Sequence, residues 1–220
     1  MFDDNFFLIM GTIFLAMFIT SNKTENFSQN GGSSEMLNVY DEKLEPCDEG
    51  NMGSGSWDSN GKCSELGGGI HQICFKELGN KANDFSLNTG QNEWSRDRKS
   101  NNHCVCLGAW ALYVSKKNKW EIKDNNSNQL KCSAIPKVSL SKDYVGKFQG
   151  WDKWNGLELD GQTKDGVEEL VNQCYNQGNK IQKNKLISNY CKFANQIEGL
   201  KNSSLFKNYC WTKNIFLFKL

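Results

Sequence analysis

His103-Cys104-Val105-Cys106, followed four residues later by Trp110, closes a framework that begins with Leu44-Glu45-Pro46-Cys47 and runs through Gly61-Lys62-Cys63 and His71-Gln72-Ile73-Cys74. Five of the nine cysteines and both histidines of the chain lie in these segments. Such a cluster staples a small fold, holds a metal ion or carries thiol chemistry. The spacing alone leaves all three open. Around the cluster, Gly67-Gly68-Gly69 breaks the chain, and Ile70 to Phe75 then reads as a short strand. From Val105 to Ser115 the apolar spacing turns helical, with Cys106, Trp110 and Tyr113 on one face and Leu107, Ala111 and Val114 beside it. Asn83 to Asn102 reads as a polar loop anchored by Phe85 and Trp94, and Pro136 to Leu140 as a closing strand.

Further out, two apolar stripes at helical spacing follow. Val167, Leu170, Val171 and Cys174 form one, with Asp165 as its expected N-cap; Ile187, Tyr190, Cys191, Ala194 and Ile197 form the other. Gly178 and Gly199 are the expected stops. Cys174 and Cys191 lie on these stripes, either bonded to each other as a clamp on the helical hairpin or buried as small hydrophobes. The fold class expected is α+β: a small cysteine-rich mixed domain with a helical C-terminal extension. Its parts are residues 1–21, a membrane anchor or signal segment; 22–36, a flexible Gly/Ser/Asn-rich tether; 37–144, the cysteine-framework domain; and 145–220, the helical extension.

With 220 residues and a formal net charge of +1, the chain offers no electrostatic case for nucleic acid. Seven tryptophans and thirteen phenylalanines argue for a packed core rather than disorder. Phe6 to Thr20 is apolar, a little shorter than the roughly 20 residues a spanning helix needs, and is the expected membrane contact as anchor or cleaved leader. Asp3-Asp4 is the wrong sign for a signal peptide start. The Asn-x-Ser/Thr sequons at Asn22, Asn26, Asn125 and Asn202 carry little weight in so asparagine-rich a chain. Trp151 and Trp154 read as packing residues more than as a sugar platform, and Ile215 to Phe218 is an aggregation hazard unless it packs.

The framework resembles the domain of unknown function 2237 family, which is mainly bacterial. The likeness rests on Leu44 to Cys47, Gly61 to Cys63, Gly69 to Cys74, Asn83-Asp84-Phe85-Ser86, Glu93-Trp94, and His103 to Gly108 with Trp110. Ala134-Ile135-Pro136-Lys137-Val138 adds to it. It covers about residues 37 to 144. His103 stands where that family has tryptophan. The resemblance implies a domain limit and a ranking of His71, Asp84, Cys104 and Cys106 above other polar residues, but no activity.

Two functions are expected from different classes. The first is a membrane-anchored or secreted, cysteine-stabilised binding or structural domain, with Cys47, Cys63, Cys74, Cys104, Cys106, Cys174 and Cys191 as structural cysteines and Asn83, Asp84, Ser86 and Trp110 as binding candidates. The second is a thiol-redox or metal-dependent enzyme using Cys104 and Cys106 with His71, and with Asp84 completing a nucleophilic set. No cofactor is expected in the first case. In the second, zinc held by His71, Cys74, Cys104 and Cys106 is the alternative, although paired Cys-x-x-Cys units are absent. Cys104 and Cys106 stand two apart at a helix start and so point to different sides, while a helix N-terminus favours the thiolate. Nine is odd, so one thiol stays free or pairs with another chain.

Overall fold

Ile73–Phe75 and His103–Val105 form two short, fully buried strands, β1 and β2, which pair antiparallel with Ile73 opposite Val105, Cys74 opposite Cys104 and Phe75 opposite His103. The computed structural model describes residues 36–48, 61–64, 71–78, 85–90, 95, 102–122, 126–146 and 161–211. The apolar segment Phe6–Thr20, the tether, Asn83, Asp84, Trp94, Trp151, Trp154 and Ile215 to Phe218 lie outside these residues. Among the described residues no helix is long and apolar enough to cross a membrane.

Between the strands comes the short helix α1, Phe85–Asn88, and immediately after β2 comes α2, Leu107–Asn118. Next are two 3-10 turns, Cys132–Ala134 and Lys137–Leu140, and the short helix α3, Lys142–Gly146. The longest helices are α4, Gly161–Gln177, and α5, Lys180–Ala194. Two further short helices, α6 at Glu198–Lys201 and α7 at Ser204–Phe206, lead into a π-helical turn at Lys207–Trp211. The protein is thus a small cysteine-rich α+β domain with a helical C-terminal part. All the described residues lie in one compact unit, Glu35–Leu220.

The core is aromatic at its centre. Phe75 of β1, Phe85 of α1, and Trp110 and Tyr113 of α2 are fully buried and meet with ring centroids 5.0 to 6.5 Å apart. Rings at such spacings in tilted and offset arrangements add to what area burial alone provides. Against the other side of α2 lies α4. Gly166 makes this approach possible, because a Cβ there would come within 2.7 Å of the Ala111 Cβ. The Trp110 indole N–H donates to the carbonyl of Gly166 at 2.8 Å across the same contact.

The helices after residue 144 share their core with the cysteine framework. The Tyr40 hydroxyl donates to the Cys174 carbonyl at 2.7 Å, and the Asn189 amide donates to the Val39 carbonyl at 3.1 Å. Gln173 Oε1 accepts the backbone N–H groups of Gln129 and Leu130 at 2.9 and 3.2 Å. Buried polar groups satisfied in this way hold a single arrangement of helices on strands.

Three expectations are corrected here. Pro136 to Leu140 is not a strand: Pro136 supplies a single bridge to Asn38, and the chain then winds into a 3-10 turn in which the Ser139 N–H donates to the Pro136 carbonyl. Asp165 is not an N-cap, because α4 begins four residues earlier at Gly161. Gly199 does not stop the second helix, which ends at Ala194 with Asn195 as its cap; Gly199 lies within α6. Gly178 does follow the last residue of α4, its N–H donating to the Cys174 carbonyl at 3.1 Å.

Candidate functional site

Eight of the nine cysteines form four disulfides: Cys47–Cys74, Cys63–Cys104, Cys132–Cys174 and Cys191–Cys210, which leaves Cys106 as the free thiol. Cys74 and Cys104 face each other across the β1–β2 pair, so the first two disulfides adjoin. The segment before Cys63 is shaped by Gly61, which has φ +72° and whose carbonyl accepts the Cys47 N–H at 2.8 Å. A side chain there would drive into the Asp48 carbonyl, so glycine is required at this crossing.

The expected clamp between Cys174 and Cys191 does not form. Cys174 bonds to Cys132 in the first 3-10 turn, and Cys191, at the half-buried edge of α5, bonds to Cys210 in the terminal π-helical turn. Helical spacing identified the inward face correctly but not the partner on it. Cys132 and Cys210 were missed as structural cysteines, because neither belongs to a framework motif or to one of the apolar helical stripes.

Cys106 is not a disulfide cysteine either. It is the N-cap of α2, in extended backbone at φ −76° and ψ 153°, and its Sγ accepts the Ala109 N–H at 3.4 Å. Burial pushes its thiol above the ordinary cysteine range and outweighs the N–H groups of Ala109, Cys106 and Gly108 that pull it down. The thiolate expected at a helix start is therefore not favoured.

Cys104, Val105 and Cys106 line a cavity of about 50 Å³ together with both histidines, Phe85 and Ala109. The structure thus brings His71 to Cys104 and Cys106, as the enzymatic reading required, and adds His103, which the family pattern had set aside. Two facts count against catalysis there. Cys104 is committed to Cys63. The space admits a water or two, whereas pockets for small molecules run to about 300–1,000 Å³. The larger depression, about 520 Å³ beside Trp120 and Lys117 at the end of α2, contains none of the expected site residues.

Of the binding candidates, Asn83 and Asp84 lie outside the described residues, while Trp110 and Ser86 are buried in the fold. Trp110 is wholly buried, so it packs the core instead of facing a ligand. Ser86 is buried, and its Oγ lies 2.6 Å from that of the buried Ser95, fastening α1 to that residue. The proposed zinc set of His71, Cys74, Cys104 and Cys106 is overturned because Cys74 and Cys104 are each bonded to another cysteine. Among the described residues the sulfurs of Cys47, Cys63 and Cys74 lie within 4.8 Å of one another, and all three belong to disulfides.

The fold and the site define a disulfide-stabilised α+β domain. No family model, curated protein or solved structure matches the chain. The resemblance to the domain of unknown function 2237 family therefore rests on the quoted motifs alone.

Proposed function

We propose that the chain is a non-catalytic structural or binding module of an oxidising compartment, carried there by the apolar segment Phe6–Thr20 as a retained anchor or a cleaved leader. The observation that carries this reading is the pairing of eight of nine cysteines into four disulfides. Disulfides persist outside the cytosol and are rare within it. The raised thiol of Cys106 and the narrow space beside it also favour a capping role over chemistry. Thiol titration of the denatured protein tests the reading. One reactive thiol is expected without reductant and nine with it; five or more before reduction would remove the disulfide framework and the compartment argument together.

A further inference from the structure

We propose that the depression of about 520 Å³ beside Trp120 binds a neutral saccharide, with the indole as the platform on which a pyranose ring lies. This gives the binding side of the module reading a site and a ligand class, and rests on that reading.

Helix α2 ends in a Schellman motif. With Lys119 as the cap, the Glu121 N–H donates to the Lys116 carbonyl at 2.9 Å and the Trp120 N–H to the Lys117 carbonyl at 3.0 Å. The residue after the cap in this motif takes left-handed backbone and is usually glycine. Here it is Trp120, at φ +62°. A bulky side chain is strained in that region, so the local backbone does not select tryptophan. Packing does not select it either. Trp120 is 84% exposed, and no other large hydrophobic among the described residues is as exposed. An indole that strains the backbone and stays in water is explained by a contact outside the fold.

The lining beside the indole names the ligand class. Val114 and Ile122 add apolar surface, and Lys117, Asn118, Ser127 and Glu169 add polar groups. Two helices hold these groups in place through one chain of hydrogen bonds. The Lys117 ammonium on α2 donates to the Asn126 carbonyl and, at 3.5 Å, to the Gln129 side-chain oxygen. The Gln173 amide donates to that same oxygen at 3.2 Å and to Oε1 of Glu169 on α4 at 2.8 Å. Lys117 and Glu169 are therefore ordered before a ligand arrives, which lowers the entropic cost of binding. One cation, one anion, an amide and a hydroxyl offer donors and acceptors without net charge. A pyranose matches this set: its C–H face lies on the negative face of the aromatic ring, and its hydroxyls both donate and accept at the rim. A ligand with a phosphate or carboxylate would meet Glu169 as well as Lys117, and a purely apolar one would leave the polar groups unpaired. The volume lies within the range of about 300–1,000 Å³ typical of small-molecule sites.

The test titrates the oxidised full chain with short neutral oligosaccharides of glucose, N-acetylglucosamine, galactose and mannose, followed by tryptophan fluorescence and calorimetry. At least one series should bind. Trp120→Ala should weaken that binding by about tenfold or more, the loss expected of a tryptophan at the centre of a site. Trp120→Phe keeps a ring and should retain most of it. Trp211→Ala removes another exposed indole, 57% accessible, and should leave the affinity unchanged. Trp120→Gly makes the sharpest comparison. Glycine takes left-handed backbone without strain, so the melting temperature should hold or rise while binding is lost. The proposal is overturned if no series binds, or if adenosine or a proline-rich peptide binds in place of every saccharide. It is equally overturned if Trp120→Gly binds like the wild type, or if Trp211→Ala weakens binding as much as Trp120→Ala does. A lower melting temperature for Trp120→Gly would make Trp120 a packing residue and overturn it too. None of these outcomes alters the thiol count of the oxidised protein, so the two readings fail separately.

Discussion

Replacing Cys132 and Cys174 together with alanine removes a bond that joins the framework side of the domain to α4. The two residues are separated by 42 positions, and the loop they close neither contains nor crosses another disulfide. The loop-closure entropy therefore applies without discount. For 42 residues it amounts to about 13 cal/mol/K, or about 4 kcal/mol at 25 °C. Both sulfurs are buried, and the vacated space adds to the loss rather than offsetting it. Against a total stability of about 5–15 kcal/mol, this one bond carries a large share. Urea unfolding of the oxidised proteins, followed by far-UV circular dichroism, should show the midpoint of the variant lower by about 2 M at an m-value near 2 kcal/mol/M. A loss below about 1 kcal/mol would refute the reasoning, because it would mean that the native contacts of α4 hold the loop closed even in the unfolded chain.

Gly166→Ala should lower the melting temperature. The new methyl meets Ala111 at 2.7 Å, and forcing α2 from α4 at a cost of about 1–3 kcal/mol exceeds the helix-propensity gain of about 1 kcal/mol; a higher melting temperature would contradict the close packing. Cys106→Ala should cost about 1 kcal/mol through the lost cap, and Cys106→Ser should restore it because a hydroxyl caps a helix well; thermal melts of the two variants make the comparison. For Asp41, burial raises the carboxyl, but hydrogen bonds from Lys137 and Asn189 and the charges of Lys137 and Lys185 together hold it below the usual carboxylate range. A depressed folded-state pKa stabilises above the unfolded value and is lost as pH falls through the folded one, so the stability gap between wild type and Asp41→Asn should be full at neutral pH and close below about pH 4. Urea midpoints across that range check it, and an unchanged gap in acid would show that the carboxylate contributes nothing.

The parts of the fold legible in the sequence were those set by local pattern. The stretch Ile70 to Phe75 after the break at Gly67-Gly68-Gly69, and the spacing of Leu107, Trp110, Ala111, Tyr113 and Val114, led directly to β1 and α2. The 3-10 turn at Lys137–Leu140 was hidden because Val138 and Leu140 favour strands, while the deciding contacts come from Leu37 and Asn38, about a hundred residues away. Disulfide pairing was hidden for the same kind of reason. Cys174 and Cys191 occupy the expected helical stripes, but which sulfur each meets depends on where Cys132 and Cys210 arrive in three dimensions. At the site, His71, Cys104 and Cys106, which the family resemblance ranked above other polar residues, line one cavity. His103 joins them only because antiparallel register places it opposite Phe75, which no short motif records.

The order in which cysteines leave the ribosome differs from the order in which they pair. Cys132 bonds to the next cysteine in the chain, Cys174, and Cys191 to Cys210, so these loops close between neighbours as they appear, once Cys106 is left aside. Cys47–Cys74 and Cys63–Cys104 interleave. When Cys63 emerges, Cys47 is the only earlier partner, and the first bond available is one the finished protein does not contain. Translation delivers Cys74 about a second later, whereas disulfide formation and reshuffling take seconds to hours. Only a Cys47–Cys63 link that closes within that second must be exchanged, by attack of the Cys74 or Cys104 thiolate, before β1 and β2 can settle. Interleaving therefore offers this half of the molecule a non-native first partner, whereas each disulfide of the helical half joins two consecutive cysteines.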